Sequence, residues 1–202
     1  MFGEGQKVAG NVPRLQLISA CVAVVEKRLA GLIGVVVFLL ITANIICRLL
    51  RLPVFWIDEL AIYAMIWMAF LAASAGIQGR DHIVVTLVAD RLSAQAQKFL
   101  SYFVDLVMLV FGGILLVLAW VWFAPYDLII AGGDVTEFSE NTLNFIYSEP
   151  TSAIGLPKFL FWLIMPIFSF TICLHSLAHL LSVRIVNLPE KSKVSAFQKE
   201  GE

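Results

Sequence analysis

Residues 51–83 read RLPVFWIDEL, then AIYAMIWMAFLAASAGIQ, then GRDHI. Trp56, Asp58 and Glu59 stand before the apolar run and Arg80, Asp81 and His82 stand after it. The run is close to the ~20 residues a helix needs to cross a hydrocarbon core about 30 Å thick, so the stretch reads as a spanning helix marked at both membrane surfaces. Within it Ala69, Ala72, Ala73 and Gly76 recur at small-xxx-small spacing, which lets helix backbones approach closely. That pattern predicts a helix central to the bundle, with these four residues as its packing face.

The rest of the chain has the same solvent. Of 202 residues, 60% are hydrophobic and 14% charged, with mean hydropathy +0.89; soluble domains carry roughly 25% charged residues. Further spans are expected at about 29–47, 99–123 and 159–181, beside the one at about 60–78. The expected fold is a single all-α integral membrane domain over 1–202. Pro166 is expected to kink the fourth span. Two stretches have one apolar and one polar helical face and are predicted to lie in the interface: about 14–28, with Ile18, Cys21, Val22 and Val25 on the apolar side and Glu26 and Lys27 elsewhere, and about 83–98. Residues 124–157 lose hydrophobicity and carry Asp127, Asp134, Glu137, Glu140 and Glu149 with no Lys or Arg. This is an acidic extramembrane loop, with a short helix expected around Ser139 to Ile146.

Of the 14 Lys and Arg residues, Arg48, Arg51 and Lys158 fall on one side of a four-span chain and the others on the opposite side. By the positive-inside rule both termini are cytoplasmic and the acidic loop is outside. The first apolar run has no clear cleavage site and more spans follow it, so it is read as retained. Three isolated cysteines suggest no disulfide framework. No basic run interleaved with aromatics points to nucleic acid, and no Walker A loop or G-x-S-x-G elbow points to an enzyme.

Several polar residues have two readings each. Asp58 and Glu59 suit the positive end of a helix dipole as caps, or they are polar contacts to another chain. Trp56 is a belt anchor, and Arg80 and His82 could hold lipid phosphate or fix the interfacial helix. Asp105 and His175 lie at similar depths in the third and fourth spans, and an intramembrane carboxylate demands a partner; the expectation is that Asp105 bonds His175 or a polar group of another subunit. His175 and His179 form an i, i+4 pair that can ligate metal. With three histidines in the chain, a four-ligand diheme site is excluded, and no metal or other cofactor is expected.

Pro53, Trp56, Asp58 and Glu59, then Trp67, then Gly79-Arg80-Asp81-His82-Ile83, resemble the signature of the small membrane subunit (DctQ type) of tripartite ATP-independent periplasmic (TRAP) transporters. The resemblance covers roughly residues 25–185. It departs from the family pattern at Ile62, where the family has an Arg, and at Thr86, where a carboxylate is common. What the resemblance implies is a non-enzymatic small permease subunit in the bacterial inner membrane, bracing the scaffold of a large multi-span permease. That permease would take up an organic acid or similar solute with sodium, the solute being delivered by a periplasmic binding protein. Two other classes fit the composition: the membrane anchor of a quinone-linked cytochrome or other redox complex, and a stand-alone membrane scaffold.

Overall fold

The computed structural model describes residues 14–79 and 94–186. Arg80, His82 and Thr86 lie outside the described residues, as does the interfacial helix expected over 83–98, apart from residues 94–98, which open a longer helix. The described residues are mostly helical: α1 (Arg14–Leu49), α2 (Phe55–Gly79), α3 (Ala94–Phe123), α4 (Pro125–Ile130), α5 (Val135–Thr142), α6 (Phe159–Trp162) and α7 (Ile164–Val186). Four segments are long and apolar enough to cross a membrane: α1, α2, α3 with its extension to Ile130, and α6 with α7.

α1 is one unbroken helix of 36 residues, about 54 Å at 1.5 Å per residue. The stretch 14–28 is continuous with the helix of the first span. Polar side chains on it turn toward the protein. Ile18 and Val25 are exposed, whereas Ser19 and Glu26 are buried against the other helices. Lipid is the apolar phase here, so polar side chains turn toward protein. α1 ends in a Schellman motif: Leu52 N–H donates to the Cys47 carbonyl and Arg51 N–H to the Arg48 carbonyl, with Arg51 at φ 58°. Pro53 follows, and the chain reverses into α2.

α7 is the helix that touches α1, α2 and α3 alike. The central place expected for α2 belongs to α7, because α7 carries Ser169, Thr171, His175 and Ser176 on its buried face and those groups must be satisfied inside protein. α2 meets its neighbours through Ile57, Ala61, Leu71, Ser74 and Ile77. Ala69, Ala72 and Ala73 point outward and Gly76 is half-buried. Among the described glycines, the one most tightly packed against another helix is Gly112 of α3, against Ile172 and Cys173 of α7. Pro166 acts as expected but slightly earlier. It cannot donate to the Trp162 carbonyl and its ring crowds that group, so the span is divided at Leu163 into α6 and α7.

The acidic stretch 124–157 is a folded cap. Pro125 excludes Ala124 from the helical region, and Ala124 takes φ 37° where α3 stops. Asp134 caps α5 by accepting from Thr136 and Glu137 N–H at 2.8 and 3.3 Å. α5 lies at 135–142, earlier than the Ser139–Ile146 expectation. Phe123, Ala131, Phe138 and Ile146 form a small core of their own, with Tyr147, Phe159 and Trp162 packed on it.

Candidate functional site

Polar side chains gather at two places, and in both they join helices to one another. Near the α1–α2 turn, Asn44 Nδ2 donates to Asp58 Oδ1 and Arg48 Nη2 donates to Asp58 Oδ2 at 2.8 Å. Asp58 thus ties α2 to α1. It lies in the first turn of the helix, past the cap position. Arg48 is 65% exposed, so the ion pair is wet and screened.

The neighbouring Glu59 points the other way. Its carboxylate accepts three consecutive backbone N–H groups, from Ser152 at 2.8 Å, Ala153 at 2.7 Å and Ile154 at 3.0 Å. Successive amides converging on one anion form a nest. The loop that presents them is closed by Lys158 N–H to the Glu149 carbonyl and Thr151 N–H to the Leu156 carbonyl, and turns at Gly155, φ 76°. The Glu149 carboxylate hydrogen-bonded to Lys158 raises that amine above its ordinary range. Close by, Tyr147 donates to the Phe123 carbonyl at 2.7 Å, and burial pushes its phenol upward. Trp67 donates its indole N–H to the Phe161 carbonyl at 2.9 Å, which fastens α6 to α2. Trp56 is 49% exposed and Ile62 faces outward at 52%.

The second polar site lies toward the opposite end, between α1, α2 and α7. Ser19 Oγ sits 2.7 Å from Gln78 Oε1 and 2.7 Å from His175 Nδ1, and His175 Nε2 sits 3.1 Å from Glu26 Oε2. Both ring nitrogens of His175 are therefore engaged with α1. Asp105 is buried on α3, and His179 is buried one turn along α7. Midway, Ser74 Oγ donates to Thr171 Oγ1 at 2.8 Å. Among the described residues, no group of three or more His, Cys, Asp or Glu converges as a metal site would require. Ser19, Glu26 and Gln78 were not singled out from the sequence. The signal was present, because Ser19, Glu26, Ala30 and Val37 share a narrow seam at seven- and four-residue spacing, but it is the polar and small residues that mark it.

Cavities complete the picture. A groove of about 400 Å³ runs between α1 and α2, lined by Lys27, Ala30, Gly31, Ala69, Ala72 and Gly76 among others. A second, of about 380 Å³ and almost wholly apolar, is bounded by Ile33, Val36, Tyr63, Trp67, Leu160 and Phe161. Both open on the outer surface of the bundle and neither is lined by the buried histidines.

The profile of the DctQ component of tripartite ATP-independent periplasmic transporters matches residues 37–184. An isethionate TRAP transporter permease protein, DctMQ, of Oleidesulfovibrio alaskensis is 26% identical over 112 residues, 55% of this chain and 15% of that protein. A putative TRAP transporter small permease protein of Haemophilus influenzae is 29% identical over 66 residues, 33% of this chain and 41% of the relative. The chain thus matches under half the length of each relative. Four helices long and apolar enough to cross a membrane and a family match over most of the sequence converge: this chain belongs to the DctQ component family of the tripartite ATP-independent periplasmic transporters.

Proposed function

We propose that this small permease subunit is a rigid brace for a large permease subunit in the bacterial inner membrane, with both termini cytoplasmic and the cap 124–157 on the periplasmic face. The large subunit takes up an organic acid or similar solute with sodium, and a periplasmic binding protein delivers it. The observation that carries this reading is the outward-facing small-residue surface of α2. Ala69, Ala72 and Ala73 are exposed beside an open groove, where a helix of another chain can approach closely, while the described polar contacts lock this chain's own helices together and line no channel. A second support is the isethionate permease relative, most of whose length lies outside the match. Trp56 serves as a headgroup anchor, and Arg80 and His82 hold lipid phosphate at the other surface. Asp58 and Glu59 act through the surfaces they shape, by fixing α1 and the 152–154 loop.

The test is co-expression with a candidate large permease, Ala72→Trp against Val117→Trp, an exposed position on α3. The first is expected to abolish co-purification and sodium-driven uptake in proteoliposomes while the isolated subunit still folds; the second, on a different helix, is expected to leave both intact. Unchanged capture by Ala72→Trp would overturn the docking face, and failure of the wild-type chain to capture any large permease would overturn the brace.

A further inference from the structure

The Ser19–His175–Glu26 array dictates where protons must sit. A serine hydroxyl carries one hydrogen, and an amide oxygen only accepts. The Ser19 hydrogen therefore goes to Gln78 Oε1, and Ser19 Oγ accepts from His175, so Nδ1 is protonated. A neutral ring protonated at Nδ1 has a bare Nε2, and an ionised Glu26 has only acceptors. Two such lone pairs do not meet at 3.1 Å in a seam where His175 is 0% and Glu26 4% exposed. A further proton lies between them, on Nε2 facing a carboxylate or on Oε2 facing a neutral ring. Glu26 Oε1 is buried with no hydrogen-bond partner, which favours the neutral acid, since an ionised carboxylate would leave a charged oxygen unsolvated. Both forms hold one proton.

We propose that Glu26 and His175 form a buried proton-binding site that latches α1 to α7. Separated and in water, the two groups titrate at about 4.3 and 6.5. The closed geometry needs the shared proton, because without it two lone pairs would face each other at 3.1 Å. The separated pair holds two below about 4.3, one between about 4.3 and 6.5, and none above. Stability is therefore flat across the middle window and falls as pH rises past about 6.5, because there the closed state binds more protons. The closed-to-open ratio tends toward a tenfold loss per pH unit. Of the other titratable groups on the packed helices near this level, among the described residues, Arg14, Cys21, Lys27 and Arg28 on α1 and Lys98 and Tyr102 on α3 are exposed, while Asp105 on α3, Cys173 and His179 on α7 are partly or fully buried; the described part of α2 offers the Gln78 amide. All of these are retained when Glu26 alone is replaced.

Reversible unfolding of the full chain in detergent, followed from about pH 5.5 to 9, tests the site. The wild-type midpoint is expected to hold to about pH 6.5 and then decline. Glu26→Gln, whose amide donates to a bare Nε2 without titrating, is expected to lose that decline. Equal slopes in both proteins overturn the proposal. A second readout uses the wild-type chain in nanodiscs, with ¹⁵N-labelled histidine near pH 8 and His175 assigned through its contact with Ser19. A protonated Nδ1 supports the site, and a ring protonated only at Nε2 refutes it, because Ser19 would then donate to the ring and no shared proton would be needed.

Discussion

Replacing Gly112 by alanine tests the seam on which the α3–α7 half of the bundle rests. A Cβ built at Gly112 lies 2.9 Å from Cys173 Sγ, 2.9 Å from Ile172 Cγ2 and 3.3 Å from Ile172 Cβ, well inside the about 3.5–4.0 Å of favourable carbon contact. The adjacent Gly113 has nothing within 4 Å of the same added atom. Both positions gain about 1 kcal/mol of helix propensity on going from glycine to alanine, so that gain cancels between the two variants. What remains is the overpacking of α3 on α7, about 1–3 kcal/mol. Gly113→Ala is thus expected to be neutral or mildly stabilising, and Gly112→Ala to fall about 1–3 kcal/mol below it in reversible detergent unfolding. Fluorescence is expected to report the same separation, because Trp122 at the end of α3 stacks edge-on against Trp162 of α6 with ring centroids 5.3 Å apart. Adding Cys173→Ala removes one clashing atom and should recover part of the loss. Equal stability of the two glycine variants would falsify the close approach at Gly112.

Three other perturbations have defined outcomes. Glu59→Ala strips the acceptor from three amides, and hydrogen exchange at Ser152, Ala153 and Ile154 should accelerate while α5 amides keep their protection; unchanged exchange would mean that the nest does not order the loop. Trp67→Phe keeps the ring but loses the bond to the Phe161 carbonyl, for an expected cost of about 0.5–1.5 kcal/mol, measured in the same unfolding assay, and a neutral result would argue against α6 being fastened there. Arg48→Ala and Asp58→Ala, alone and together, should show a coupling below about 1 kcal/mol that shrinks with salt, as exposed pairs do; a larger, salt-insensitive coupling would mean that the pair is buried in the working complex.

The four spans were legible because crossing a bilayer imposes a length and an apolarity that few other structures require. The kink at Pro166 was legible for a similar reason, since proline acts on its immediate neighbours whatever lies around it. The polar sites were harder to read. Glu26 was read on the polar side of an interfacial helix, the side that meets water, whereas in the packed bundle it meets His175, because polar side chains beside lipid turn toward protein. Asp105 and His175 share a depth in the sequence, yet depth says nothing of azimuth, and the rotation of α7 gave both His175 nitrogens to α1.

The marked helix at 51–83 shows the division most clearly. Its length, its capping aromatics and carboxylates and its small-residue stripe are local properties of the sequence, set by spacing along one helix. Which way that stripe faces, and that Asp58 reaches α1 while Glu59 reaches a loop more than 90 residues away, are relations between helices. Those depend on how the polar faces of α1, α2 and α7 can be satisfied together, and only the packed bundle decides them.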